Sequence, residues 1–170
     1  MALEIRRSER LTEEEDRSLL RWEPDIFEID AYGLAWRDQD WHFVGYVNGE
    51  PVCHAGTITH TVTVGGRPVR VGGFGAVVTL PPARGKGYAR RTLRTAIDFL
   101  RDDLKVAFCL LFCIDRMVPF YEKMGWKKVP DTVIVEQPQG KIPYPMNVMT
   151  LALGEEAWPE GVVELTSLPW

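Results

Sequence analysis

The pattern of apolar and polar residues predicts a strand followed by a helix at the start of the chain. Leu3 and Ile5 alternate with polar neighbours, as in a short half-buried strand. Thr12 is followed three residues later by Glu15, and this pair has the form of a capping box that opens a helix. The helix is predicted to run to about Trp22, where an acidic stretch begins that is either irregular or helical.

Three longer strands are predicted next, and their order indicates an antiparallel meander. Their sequences alternate in polarity or are rich in β-branched residues, and they cover residues 41–47, 51–64 and 68–80. Asn48-Gly49 and Gly65-Gly66 lie between them, and such pairs are typical of hairpin turns. The third strand is interrupted by three glycines that predict a bulge or a close backbone approach, namely Gly72, Gly73 and Gly75.

After Pro82 the apolar period changes from that of a strand to that of a helix. A helix is predicted from about Gly87, with an apolar stripe formed by Ala89, Leu93, Ala96, Ile97 and Leu100. Its opposite face carries Arg90, Arg91, Arg94 and Arg101. The apolar segment 106–114 then predicts a strand that is buried on both faces and parallel to the strand before the helix.

The remaining pattern completes the predicted fold. A short helix is expected at residues 117–124 and is closed by Gly125; strands follow at residues 126–135 and 146–153, the second of them being the last. The predicted fold class is therefore α/β, with a mixed central sheet flanked by helices. In that sheet the N-terminal strands are antiparallel and the middle pair is parallel.

Composition limits the classes of protein that this sequence can represent. The 170 residues are 45% hydrophobic, which is enough for one core, so we expect a single domain over residues 1–170. A formal net charge of −4 disfavours general nucleic-acid binding. The first residues lack the apolar region of a signal peptide, and no apolar run approaches the roughly 20 residues that span a bilayer. We therefore expect a cytoplasmic protein with neither nucleic acid nor membrane as a partner.

The three cysteines do not indicate a disulfide framework or a metal site. Cys109 and Cys113 are four residues apart inside an apolar run, and Cys53 lies in a predicted strand. A structural zinc site typically has closely spaced pairs of ligands outside the core, and a disulfide framework needs an even number of cysteines. We expect buried free thiols and no bound metal.

The sequence RGKGYA, residues 84–89, has the properties of an anion-binding loop. It lies between the end of a strand and the start of a helix, where unpaired backbone N–H groups and the positive end of the helix dipole coincide. Gly85 and Gly87 permit close backbone approach to a ligand, and Arg84 and Lys86 add positive charge. The common Gly-x4-Gly-Lys and Gly-x-Gly-x-x-Gly phosphate loops do not match. From the residues alone, a solvated basic turn is an equal alternative.

Two motifs at their mutual spacing resemble the GNAT superfamily of N-acyltransferases. The loop matches the superfamily signature Arg/Gln-x-x-Gly-x-Gly/Ala through Arg84, Gly85, Lys86, Gly87, Tyr88 and Ala89. The segment FYEKMGWKKV, which contains Tyr121, resembles the tyrosine-bearing helix and the strand that follows it. The order of elements agrees with that superfamily over roughly residues 40–153. The resemblance implies the GNAT fold and an acetyl-CoA-dependent N-acetyltransferase.

The resemblance also assigns roles to particular residues. The loop residues Arg84 to Ala89 are expected to bind the pyrophosphate of acetyl-CoA, and the strand edge at Val77, Val78 and Thr79 to pair with its pantetheine arm. Arg90 and Arg91 are candidates for the 3′-phosphate, or are simply solvated. Tyr121 is expected to be the general acid for the departing thiolate, and the alternative is a core tyrosine. The general base stays open between His54, His60, Glu50 and ordered water.

Within the superfamily the sequence is most similar to aminoglycoside 2′-N-acetyltransferases. That resemblance rests on residues 52–73, on FYEKMGW and on a C-terminal tail that ends in Trp170. It implies that the tail, residues 154–170, packs back on the domain and that the carboxylate of Trp170 lies near the acceptor amine. Two acidic positions of that family are missing, because Gly75 stands at one and GKIPYPMN at the other.

The acceptor is therefore expected to be a primary amine of a small molecule that attacks the thioester directly. The acidic residues of the first helix and of the stretch that follows could attract a cationic substrate. Three alternatives stay open: an aminoglycoside 2′-N-acetyltransferase, a protein or peptide N-acetyltransferase, and a non-catalytic acyl-CoA-binding module. A homodimer is also possible.

Overall fold

The structure is a computed structural model that describes residues 2–170. Within that range ten strands form one sheet: β1 (Glu4–Ser8), β2 (Trp41–Val47), β3 (Glu50–Val64), β4 (Arg67–Thr79), β5 (Phe108–Cys113), β6 (Lys127–Lys128), β7 (Val133–Gln137), β8 (Gly140–Pro143), β9 (Asn147–Ala152) and β10 (Val163–Glu164). The α-helices are α1 (Glu13–Leu20), α2 (Tyr88–Asp98) and α3 (Val118–Glu122). No helix in residues 2–170 combines the length and the apolar character needed to cross a membrane.

The sheet is mixed, as the sequence predicts. Strands β1 to β4 form an antiparallel meander, and β4 is parallel to β5, which it reaches through α2. Strand β9 then pairs antiparallel with both β5 and β6. The 15-residue β3 pairs with two strands besides β4: its first half pairs with β2, and its last two residues pair with β10.

Each face of the sheet has its own core. We call one the helix face, because α2 and α3 cover it; Phe74, Leu93, Ala96, Leu111 and Trp126 meet there. We call the other the tail face, because the C-terminal residues cover it; Ile58, Val71, Leu110, Leu165 and Trp170 meet there. Successive residues of β5 alternate between the two faces. The prediction that this strand is buried on both sides is confirmed.

The predicted helices begin where their capping residues place them. Thr12 and Glu15 form both bonds of the capping box, with the Glu15 amide donating to the Thr12 hydroxyl at 3.1 Å and the Thr12 amide donating to the Glu15 carboxylate at 2.8 Å. Helix α1 ends at Leu20, two residues before the predicted end. Helix α2 begins at Tyr88 and continues as a π-helical turn at Phe99–Asp103. The spacing of the apolar stripe gave no sign of that turn.

The C-terminal third differs from the prediction in three respects. The single strand expected at residues 126–135 is two strands, because β6 pairs with β9 whereas β7 pairs with β8 and β10. Pro130 lies between them and has no backbone N–H to continue a ladder. Strand β8 was not predicted. Strand β9 is not the last, because β10 follows it within the tail.

The tail packs on the domain, mainly through one strand. Strand β10 lies antiparallel to β3 and parallel to β7, so it joins the β7–β8 hairpin to the rest of the sheet. Val163 and Leu165 are fully buried, and the Leu165 amide donates to the carbonyl of Ile134 at 2.8 Å. Val162, which belongs to the same apolar segment, remains 49% exposed.

Candidate active site

Strand β4 contains a bulge in its pairing with β3. His54 is opposite Val78 and Gly56 is opposite Gly75, so Ala76 and Val77 share a single partner position. Ala76 has a φ of 51°, which is rare for a residue with a side chain and is held here by the surrounding strands. The sequence predicts a bulge or a close backbone approach at Gly72, Gly73 and Gly75; the bulge begins just after Gly75, and the close approach is observed at all three glycines.

Strands β4 and β5 part immediately before this bulge. Their pairing ends at Phe74 and Leu111, although β4 continues to Thr79 and β5 to Cys113. The antiparallel partner β3 covers only the other edge of β4 there. The edge of residues 77–79 that faces β5 therefore keeps backbone groups for another partner, apart from the Thr79 carbonyl, which accepts a hydrogen bond from Arg84 Nε.

A cleft of about 850 Å³ occupies this gap and reaches both faces of the sheet. On the helix face it is lined by Phe74, Cys113 and Tyr121, and on the tail face by Phe112, Tyr144 and Trp170. The alternation of side chains along β5 places Phe112 and Cys113 on opposite walls of the cleft. A ligand bound on the helix face can therefore contact a second ligand bound on the tail face through the gap between the strands.

The glycine loop lies at one end of the cleft. Gly85 and Gly87 have φ of 76° and 77°, and a methyl group at either would meet no atom within 4 Å. Glycine is therefore required by the backbone conformation and not by lack of space. Arg84 stabilises the loop by donating from Nε to the carbonyl of Thr79 at 3.0 Å. The predicted loop residues line the cleft except for Lys86.

Helix α2 begins at this loop without a side-chain cap. Gly87 is its N-cap residue, so no hydroxyl or carboxylate from that position accepts the first backbone N–H groups. Tyr88, Ala89 and Arg90 line the cleft here, whereas Arg91 does not. Free N–H groups and the positive end of the helix dipole favour an anion at this point.

The short helix α3 places Tyr121 on the wall of the cleft. Its ring is 5% exposed and packs against Phe120 and Trp126, with centroids 5.1 and 5.8 Å away. Within residues 2–170 no side chain or carbonyl accepts its hydroxyl. Burial raises the pKa of this phenol, so it keeps its proton throughout the neutral range.

Trp170 closes the tail-face side of the cleft. Its indole Nε1 donates to the carbonyl of Leu110 at 3.3 Å, and the side chain is 3% exposed. The ring lies over Gly73, and its main-chain carbonyl lies against Gly75, where a methyl group would be 2.7 Å from the carbonyl carbon. Gln39 occupies the remaining space above Gly75. The main-chain oxygen of Trp170 thus lies beside the bulge.

The three side chains considered as general bases do not line the cleft. His54 is 1% exposed and donates from Nδ1 to the carbonyl of Ala76 at 2.7 Å, which leaves its Nε2 to accept from Nδ1 of His42 at 2.9 Å. Burial lowers the pKa of His54 to about 4. His60 bonds the carbonyl of Leu165 at 2.8 Å, and Glu50 is exposed at the start of β3. His54 therefore supports the bulge.

Apart from Trp170, the residues that form the tail-face wall were not predicted from the sequence. Trp36, Phe112 and Tyr144 line the cleft with Trp170, and Gln39 reaches Gly56 and Gly75. Phe112 belongs to an apolar strand, and the segment around Trp36 has no periodic pattern. The only available signal was Gly56 in a β-branched strand, since a glycine there indicates close approach of another group.

The cleft residues fit the pantetheine arm and phosphates of a CoA thioester. The Thr79 hydroxyl is buried and has no hydrogen-bond partner within residues 2–170, which costs free energy unless a ligand satisfies it. Thr79 lines the cleft between the bulge and the glycine loop. An amide-containing arm along the edge of residues 77–79 would satisfy both the hydroxyl and the open backbone groups.

A mixed sheet that splays at a bulge, with a glycine loop before a helix, defines the GNAT class of acetyltransferase fold. The family model described as acetyltransferase (GNAT) domain matches residues 12–129. The chain therefore belongs to the GNAT acetyltransferase family. No protein of curated function matches the chain significantly.

Solved structures agree with this fold at low sequence identity. A GNAT family N-acetyltransferase (YhbS) from Escherichia coli, in complex with CoA, is 16% identical with a TM-score of 0.67, over 96% of this chain and 89% of that one. A GNAT family acetyltransferase from Brucella melitensis, in complex with acetyl-CoA, is 18% identical with a TM-score of 0.61, over 95% and 94%. N-acetylglutamate synthase from Neisseria gonorrhoeae, with coenzyme A and N-acetyl-glutamate, is 13% identical with a TM-score of 0.62, over 91% and 36%.

Proposed function

We propose that the protein is an acetyl-CoA-dependent N-acetyltransferase that acts on a primary amine of a small molecule by direct attack on the thioester. One observation carries this proposal: the gap between β4 and β5 connects the glycine loop and Tyr121 on one side with the Trp170 wall on the other. Two similar structures hold CoA or acetyl-CoA. When bound, acetyl-CoA supplies the activated acetyl group.

The protein's own residues then bind, orient and move protons. Arg84 to Ala89 offer backbone N–H groups to the pyrophosphate, and Val77, Val78 and Thr79 offer a strand edge to the pantetheine arm. In this proposal, a backbone N–H beside the bulge stabilises negative charge on the thioester oxygen. The Tyr121 hydroxyl donates its proton to the departing sulfur.

We propose that ordered water takes the proton from the amine. His54, His60 and Glu50 do not line the cleft, and both histidines are engaged with main-chain carbonyls. The main-chain oxygen of Trp170 accepts a hydrogen bond from the bound amine and so orients it. Trp170 is therefore proposed as a residue that positions the acceptor.

A small acceptor is favoured over a protein or peptide because the tail face is covered. The Arg37 amide donates to the carbonyl of Pro169 at 2.8 Å, and the Glu136 amide donates to the carbonyl of Ser167 at 2.9 Å. Two main-chain hydrogen bonds therefore hold the last residues on the tail face. A peptide acceptor would need an open groove at this position. The likeness to aminoglycoside 2′-N-acetyltransferases stays a prediction.

Acetyl-CoA binding and thiol release together test the proposal. We expect calorimetry to show stoichiometric binding of acetyl-CoA, and a thiol-trapping assay to show release that depends on an added primary amine. Binding without amine-dependent release, across amines of varied size and charge, would leave only an acyl-CoA-binding module. Absence of binding would refute the site itself.

A further inference from the structure

The tail-face wall of the cleft is aromatic. Phe112 is central to it, with ring centroids 4.7 Å from Tyr144, 5.3 Å from Trp170 and 6.3 Å from Trp36. Trp36 also meets Tyr144 edge to face at 6.2 Å. All four side chains line the cleft. Aromatic groups prefer such edge-to-face and offset contacts, so another ring can extend this cluster.

Few charges are available on this wall to recognise a polycation. Two acidic residues, Glu28 and Asp38, line the cleft, and Glu28 is already paired with Arg116. Arg37 also lines it and lies 3.7 Å from Asp40. Among residues 2–170, Asp38 is the acidic residue of the cleft that forms no ion pair. Binding several ammonium groups would require several unpaired carboxylates, since each needs a charge-assisted partner.

The reacting centre adjoins this aromatic wall. Trp170 belongs to both, because its ring packs on Phe112 and its main-chain carbonyl lies against Gly75, next to the bulge. An amine held beside the bulge therefore has its body on the tail face, against the four rings. Ile26, Phe27 and Ile29 line the cleft as well and add apolar surface.

We propose that the acceptor is an aromatic monoamine, in which one primary amine is carried on a short linker by an apolar ring. This inference rests on the proposed function and specifies its substrate class. The ring packs in the cluster of Trp36, Phe112, Tyr144 and Trp170, and the amine reaches the thioester beside Gly75. Burial of a ring strengthens binding by roughly 10- to 100-fold over a polar amine of similar length.

The first experiment compares aromatic monoamines with polar and polycationic amines. 2-Phenylethylamine and tryptamine are compared with ethanolamine, spermidine and kanamycin, and amine-dependent thiol release is measured at saturating acetyl-CoA. We expect kcat/KM for the two aromatic amines to exceed that for the others by about 10-fold or more, mainly through KM. A preference for spermidine or kanamycin would overturn the inference and leave the proposed function intact.

A matched pair of variants tests the location of the ring. Trp36→Ala removes one ring from the cleft, whereas Trp158→Ala removes a ring that packs on Phe108 at 5.3 Å outside the cleft. We expect Trp36→Ala to raise KM for 2-phenylethylamine about 10-fold with unchanged acetyl-CoA affinity, and Trp158→Ala to leave KM unchanged. An equal effect of both variants on KM would overturn the inference.

A binding measurement separates failure of the inference from failure of the proposed function. Quenching of tryptophan fluorescence by 2-phenylethylamine, in the presence of CoA, reports occupancy without turnover. Saturable quenching whose dissociation constant Trp36→Ala raises, together with no thiol release from any amine, supports the aromatic site and refutes the acetyltransferase proposal. If neither selective quenching nor selective turnover is observed, the aromatic site is refuted.

Discussion

At the scale of single residues, Tyr121 combines a raised pKa with a free hydroxyl in the cleft. Tyr121→Phe removes that hydroxyl and keeps the ring that packs against Phe120 and Trp126. Because general acid catalysis typically contributes about 10² to 10⁴ in rate, kcat should fall by that order while acetyl-CoA affinity is unchanged. Steady-state kinetics and calorimetry check this result. Tyr32→Phe, at an exposed tyrosine, is the control, and equal turnover by Tyr121→Phe would remove the tyrosine from the mechanism.

Gly87 allows the anion site to be tested with a control of matched geometry. Gly87 and Gly66 have nearly the same φ, 77° and 79°, and a methyl group at either meets no atom within 4 Å. Replacement by Asp should therefore cost each variant a similar stability, about 1 kcal/mol. Only Gly87→Asp places a carboxylate at the start of α2, so only it should lose acetyl-CoA affinity. Calorimetry that shows equal affinity for both variants would contradict the site.

His54 should make the fold sensitive to acid. Burial lowers its folded pKa to about 4, whereas an unfolded histidine titrates near 6.5, so the unfolded chain binds the extra proton first. Its stabilising contribution is complete above about pH 6.5 and is lost as the pH falls towards 4, by about 2 kcal/mol at pH 5. His42, whose pKa burial also lowers, acts in the same direction, and Glu15, Asp16, Asp38 and Asp40 oppose it.

His54→Gln isolates this contribution, because Gln keeps an N–H donor for the Ala76 carbonyl and does not titrate. Urea unfolding at pH 7.5 and pH 5 should show a smaller loss of stability in the variant than in the wild type. Parallel losses would mean that other groups cause the acid sensitivity. The sequence marked His54 only as a candidate base, since its burial depends on three strands that meet around it.

At the scale of elements, the tail segment around β10 should contribute more to the free energy of unfolding than a two-residue strand suggests. Leu165→Ala removes a fully buried side chain next to β10 and should cost about 2 to 5 kcal/mol. Val162→Ala, at a half-exposed position of the same segment, should cost less than about 1 kcal/mol. Urea denaturation measures both. Similar losses for the two variants would mean that the tail is loosely attached.

Helices and strands with a strong apolar period could be predicted from the sequence. Strands that form only because distant strands pair with them could not. The stripe of α2 and the alternation of β2 to β4 are local, and the structure confirms them. Strand β10 has only Val163 and Glu164, and it exists because β3 and β7 leave a gap that fits one strand. Strands β6 and β7 follow one apolar stretch but join different partners, which periodicity does not reveal.

At the scale of the whole molecule, the two sides of the cleft differed in predictability. The side proposed to bind acetyl-CoA derives largely from one continuous stretch, residues 77–89, so its motif could be recognised in the sequence. The side proposed to bind the acceptor combines Trp36, Phe112, Tyr144 and Trp170 from four separate segments. Their meeting depends on the sheet order and on the position of the tail, and no short motif records it.

The contact between Trp170 and the two glycines of β4 also constrains how this protein can diverge. A Cβ at position 73 would lie 2.2 Å from the Trp170 indole nitrogen, and one at position 75 would lie 2.7 Å from its carbonyl carbon. A side chain at either position is therefore compatible only with a displaced or shorter tail. Relatives that keep both glycines can keep this aromatic wall, whereas a lineage that acquires a side chain at either position must rebuild the wall and, under the proposed function, change the amine that it accepts.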